Sequence, residues 1–197
     1  MRVPVKSALL FVAVSALATS ASAHTGHGTH SLMEGLAHPL GVDHLLAMLA
    51  VGVWSVSALP SGKVWQGPAV FMVALMLSAV MGASGVTLPF LEHAIALSVV
   101  LFGLMLVLAA KPMPKALGLG VIAVAASLHG LAHGAETPAS GFLGYAAGFL
   151  LSTAALHLSG VGIGQSIRRG LKTGHAMALG GLGTLLSGAG LVLFAHV

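Results

Sequence analysis

His38-Pro39-Leu40-Gly41-Val42-Asp43-His44, followed by the unbroken apolar run Leu45-Leu-Ala-Met-Leu-Ala-Val-Gly-Val-Trp54, sets two imidazoles and a carboxylate at the mouth of a long hydrophobic segment. An ionisable side chain at the centre of a membrane helix costs roughly 2.5–3.5 kcal/mol on insertion scales, so groups retained there mark an ion path, a proton path or a bound ion. A second polar stretch, His129-Gly-Leu-Ala-His133-Gly-Ala-Glu136, interrupts another apolar segment. Whether these segments lie in lipid depends on the rest of the chain.

Hydrophobic residues make up 57% of the chain and charged residues 6%, at a mean hydropathy of +1.02, which cannot cover a water-soluble surface of ordinary composition. The reading is an all-α membrane protein. Residues 1–23 stand apart: Arg2 and Lys6 open a basic start, Ala8 to Ala18 form an apolar run, and Ala21-Ser22-Ala23 is a small-residue cleavage site. That pattern predicts a cleavable signal peptide. Cysteine is absent, so a bound metal is held by nitrogen and oxygen, with methionine sulfur as the remaining option. The formal charge of +4 becomes +2 without Arg2 and Lys6, so the high isoelectric point reflects scarce acids and nucleic acid is not an expected partner.

Six apolar segments follow, near 40–59, 67–84, 89–110, 115–135, 140–165 and 174–195, each close to the roughly 20 residues that cross a bilayer core. A six-helix transmembrane bundle over 38–197 is expected, preceded by a His-containing external segment at 24–37. Lys63 lies in the first connection, Lys111 and Lys115 in the third, and Arg168, Arg169 and Lys172 in the fifth. All basic residues of the mature chain thus fall on one side, and the positive-inside rule makes that side cytoplasmic, with both mature termini outside. Gly144-xxx-Gly148 and Gly160-xxx-Gly164 suit close helix packing.

With that orientation His38, Asp43 and His44 lie at the outer end of the first span, Glu92 and His93 at the outer end of the third, and His129, His133 and Glu136 in the outer third of the fourth. Residues at i, i+4 and i+7 share a helical stripe, so His129, His133 and Glu136 present one face. Two imidazoles at that spacing can hold a metal, with the carboxylate as ligand or as acceptor for an imidazole N–H. His38 and His44 are six residues apart and cannot align on a straight helix, whereas Pro39 and Gly41 allow an irregular first turn that brings His38 over Asp43 and His44. Glu92 also reads as a helix-start acid. His157, deeper in the fifth span, is either a further ligand on the way out or a packed neutral histidine. His24, His27 and His30 near the mature terminus read as an external metal collector or as a disordered polar tail. Tyr145, Trp54 and Trp65 read as packing or interface residues.

His38-Pro-Leu-Gly-Val-Asp43-His44 resembles the HPxxGxDH motif of the HupE/UreJ family of nickel and cobalt permeases, and His129-Gly-Leu-Ala-His133-Gly-Ala-Glu136 resembles that family's second His-rich motif. Ser127-Leu128 stands where an aromatic residue is expected before the first histidine of the second motif. The resemblance covers nearly the whole chain. It implies a cleaved signal, six helices and Ni²⁺ uptake supporting hydrogenase or urease maturation, with Co²⁺ as the second cargo.

The expectation is therefore a multi-pass permease of the bacterial inner membrane that moves Ni²⁺ or Co²⁺ into the cytoplasm from a His/Asp/Glu site near the periplasmic face. No catalytic cofactor is expected, and the ion is cargo. A homo-oligomer and a downstream maturation system are the candidate protein partners. The alternative is a membrane-embedded zinc-dependent hydrolase, since such clusters can activate a metal-bound water; against it, the chain has neither HExxH nor GxSxG. Haem ligation by facing histidines is a weaker rival, because the neighbouring acids suit a small cation better than an apolar macrocycle. No Walker motif occurs, so the chain does not itself use ATP.

Overall fold

Apolar residues spread around whole helical circumferences give these segments no polar face to turn to water, so each must be covered by lipid or by another helix. The structure, a computed structural model, describes residues 32–109, 113–137, 142–171 and 173–197; the expected signal peptide at 1–23, His24, His27, His30, Lys111 and Lys172 lie outside them. The described residues form seven α-helices: α1 (Leu32–Ala37), α2 (Val42–Ala58), α3 (Gln66–Ala83), α4 (Leu91–Val107), α5 (Lys115–Ala135), α6 (Phe142–Gly170) and α7 (His175–Phe194). Helices α2 to α7 overlap the six expected segments, α3 starting one residue before its segment and α6 running five residues past the expected 165. Ser61–Ala83, α5, α6 and α7 are long and apolar enough to cross a membrane, and the bent pair Leu32–Leu40 plus Val42–Ala58 makes a fifth candidate. α4 is a shorter apolar helix of 17 residues.

The bend of 75° between α1 and α2 has a local cause. His38–Leu40 form a single 3-10 turn, Pro39 has no N–H to continue a ladder, and Gly41 takes φ −50° and ψ 139°, an extended conformation that stops one helix before Val42 starts the next. α1 itself went unread in the sequence. It is held against α6 by Gly35, where a Cβ would collide with the backbone of Tyr145 and Phe149.

α2 is the central element. It packs most closely on α6 and also touches α3, α4, α5 and α7, while α3 pairs with α5 and α4 with α7. Its side chains are accordingly buried on every face, with His44, Ala47, Met48 and the run Ala50 to Val56 all shielded. Trp54, Phe71, Phe102, Met48 and Ile122 are among the largest buried side chains of the surrounding core. The central position of α2 carries His44 into the middle of the bundle.

The helices alternate in direction, so the N-terminal end of α2 shares one end of the bundle with the C-terminal end of α5 and the start of α4. Phe90, at the turn into α4, has φ 58°, and it is the one described non-glycine residue with left-handed backbone. Lys63, Lys115 and Arg168 lie at the opposite end, where the Arg168 guanidinium reaches the carbonyl of Val56 at 3.4 Å.

Candidate metal centre

α2 and α5 bring His44, His129 and His133 together. The i, i+4 pair of α5 turns both imidazoles toward α2: His129 Nδ1 lies 2.8 Å from His44 Nε2, and His133 Nε2 also contacts His44 Nε2. All three residues are buried.

The outward-facing nitrogens determine which lone pairs point inward. His44 turns Nδ1 toward Asp43 Oδ1 at 3.3 Å, and the same carboxylate oxygen accepts the His44 backbone N–H at 2.8 Å. A proton on Nδ1 satisfies that carboxylate and leaves the Nε2 lone pair facing the cluster. His129 Nε2 lies 3.0 Å from Ser98 Oγ, whose single hydrogen is committed to the carbonyl of Ile95 at 2.7 Å. In the tautomer with Nε2–H, His129 donates to Ser98 and its lone pair is on Nδ1. His44 Nε2 and His129 Nδ1 then turn lone pairs to one point, which suits a shared cation; without an ion, a proton on either nitrogen makes an N–H···N hydrogen bond across the same 2.8 Å.

A second group shares His133. His38 Nε2 is 2.7 Å from His133 Nδ1, and Glu136 Oε2 lies 3.5 Å from His38 Nε2 and 3.7 Å from His133 Nδ1. The imidazoles of His133 and His38 hold the Glu136 carboxyl well below the usual carboxylate range. His44/His129/His133 and His38/His133/Glu136 are the two described sets of side chains whose donor atoms lie close enough together to hold an ion. A pocket of about 90 Å³ lined by His38, Asp43, His44, Glu92, His133 and Glu136 leads to them, with room for an ion that keeps part of its water.

Several expectations meet a different geometry. The irregular turn at Pro39 and Gly41 is present, yet His38 bonds to α5 and not to Asp43 or His44. Glu92 joins the pocket wall, while its neighbour His93 packs edge-on against Phe194 at a ring separation of 5.1 Å and is not part of that wall. His157 is buried one layer deeper. Its Nδ1–H donates to the carbonyl of Thr153 at 2.8 Å, its Nε2 has no hydrogen-bond partner, and the ring of Phe71 lies 4.8 Å from it and 5.9 Å from that of His129. Tyr145 packs as expected, its buried ring meeting His38 edge-on at 5.6 Å. Ser98 was missed altogether, because a serine in an apolar helix carries no sign that separates a ligand-orienting hydroxyl from one bonded to its own helix.

An all-helical, multi-pass membrane architecture enclosing a histidine-rich site describes a transporter better than any water-soluble class. The family model described as HupE / UreJ protein matches residues 12–193 of the chain. Protein HupE of Rhizobium leguminosarum bv. viciae is 40% identical over 185 residues, which span 92% of this chain and 95% of that relative. No solved structure matches the chain. The chain belongs to the HupE / UreJ family, a transporter-type family associated with nickel and cobalt.

Proposed function

We propose that this protein carries Ni²⁺, and secondarily Co²⁺, across the bacterial inner membrane into the cytoplasm. The observation that supports this most is the convergence of ring nitrogens of His44, His129 and His133, with His44 Nε2 and His129 Nδ1 2.8 Å apart and their other ring nitrogens facing Asp43 and Ser98. Imidazole and carboxylate ligands without thiolate suit Ni²⁺, Co²⁺, Zn²⁺ and Cu²⁺ alike, so the choice among them rests on family membership.

The direction rests on charge. Lys63, Lys115 and Arg168 lie at the end of the bundle away from the cluster, so the positive-inside rule puts the cluster at the periplasmic face of a six-helix domain with both mature termini outside. In this reading residues 1–23 are a cleaved signal, and His24 and His27 collect hydrated ions. Glu92 and Glu136 draw cations into the pocket, and Asp43 orients His44 and offsets the ion's charge. Ligands that release as readily as they bind are required for conduction. His157, with its unpartnered Nε2 beyond Phe71, is the next ligand inward. Delivery to hydrogenase or urease maturation is what the family resemblance implies, and a homo-oligomer is a candidate assembly.

Uptake of Ni²⁺ into proteoliposomes, with Co²⁺ and Zn²⁺ as competitors, tests the proposal. Wild-type protein should accumulate Ni²⁺, while His44→Ala and His133→Ala should reduce the rate at least tenfold; unchanged rates in both would refute it. The hydrolase alternative finds no support in the family assignment.

A further inference from the structure

His133 turns opposite ring nitrogens to two different ligand sets. Its Nδ1 faces His38 Nε2 and Glu136 Oε2, and its Nε2 faces His44 Nε2, which in turn meets His129 Nδ1. The two sets differ in exposure. The Glu136 and His38 side chains are 43% and 18% accessible, whereas His133, His44 and His129 as residues are 8%, 3% and 0% accessible.

A neutral imidazole has one lone pair in the ring plane, on whichever nitrogen lacks the proton. His133 can therefore complete the outer set through Nδ1 or the inner set through Nε2, but not both at once. We infer that His133 is a relay between two successive cation stations, an outer one of His38, His133 and Glu136 and an inner one of His44, His129 and His133, and that the protein holds one ion at a time across them.

This rests on the metal-transport reading above and adds order and stoichiometry to it. An ion in the outer station is bound by two nitrogens and a carboxylate and keeps water from the pocket. In the inner station it meets three nitrogens and no solvent. Passing from one to the other exchanges the Glu136 and His38 ligands for His44 and His129. As the ion sheds its water, the Nε2 proton leaves on one of those water molecules, and Nδ1, freed of the ion, takes up a proton from the water of the pocket beside the Glu136 carboxylate, so the charge of the ring and the net proton count are unchanged. Simultaneous occupancy would need an imidazolate, with a second proton removed, and two like-charged ions on opposite sides of one ring.

The test is Co²⁺ titration of the purified full-length chain carrying His24→Ala, His27→Ala and His30→Ala, so that the N-terminal histidines add no ion. Bound metal per chain and the visible ligand-field spectrum are the readouts. The expected result is one Co²⁺ per chain. His44→Ala and His129→Ala should each retain one Co²⁺ with a common, oxygen-rich spectrum. His38→Ala and Glu136→Gln should each retain one with a common, nitrogen-rich spectrum. His133→Ala should weaken binding at least tenfold in either background. Two Co²⁺ bound together by the unsubstituted site, or loss of all binding in both inner-station variants while they elute as wild type, would overturn the relay and leave transport intact. Absence of Co²⁺ and Ni²⁺ binding by the parent chain would overturn the transport reading as well. Using two variants for each station keeps the result decisive if one of them does not fold.

Discussion

Ser98 Oγ sits 3.0 Å from His129 Nε2 and 2.7 Å from the Ile95 carbonyl, so with its hydrogen on Ile95 this hydroxyl on α4 accepts from Nε2–H and leaves Nδ1 of a histidine on α5 as the ligand. Partners of this kind are commonly worth 10–100-fold in metal affinity. Ser98→Ala should weaken Ni²⁺ binding by about tenfold, measured by calorimetry on purified protein. Unchanged affinity would show that His129 does not bind through Nδ1.

Asp43 holds both the backbone N–H and Nδ1 of His44, so it orients the imidazole and keeps a negative charge beside the inner nitrogens. Asp43→Asn preserves size and loses that charge. Ni²⁺ affinity should drop by about 10–100-fold, more than for Ser98→Ala, and equal losses in the two variants would argue that orientation alone matters.

Metal binding requires neutral imidazole, so protons compete with the ion and uptake should decline as the outside pH falls into the acid range. The sign for Glu136 is opposite. Its depressed value keeps the carboxylate ionised throughout that window, and only protonation far below it would remove the charge. Glu136→Gln should consequently lower the uptake plateau without moving the midpoint of the acid limb. A midpoint that shifts in this variant would assign the limb to the carboxylate.

A Cβ at Gly134 would run into the backbone of Ala79, at the α3–α5 contact beside His133. Overpacking of this sort costs about 1–3 kcal/mol. Gly134→Ala should lower the melting temperature in detergent by several degrees, whereas Gly162→Ala, where the added methyl meets nothing within 4 Å, should leave it unchanged or slightly raised. Equal effects at the two positions would contradict the packing described.

His157 is the buried histidine the ion-binding cluster does not use. If it receives the ion after the inner station, His157→Leu should slow Ni²⁺ uptake at least tenfold while equilibrium Ni²⁺ affinity changes less than about twofold. A variant that transports at the wild-type rate would reduce His157 to a packing residue.

Much of this was readable in the linear chain because charged residues are so scarce. In a sequence with 6% charged residues, each acid or histidine inside an apolar segment stands out, and the spacing of His129, His133 and Glu136 places them on one helical stripe. The helical segments were legible for the same reason, since lipid forces every backbone group into a helix. Nothing in the sequence marked α2 as the central helix, however, or directed His38 to His133 instead of Asp43. Helical periodicity sets where a side chain points relative to its own axis. A segment apolar on every face carries no amphipathic asymmetry to say which neighbour that direction meets. The service of Ser98 to His129 and the division of His133 between two ligand sets exist only between helices, so they come into being with the packing of α2, α4 and α5.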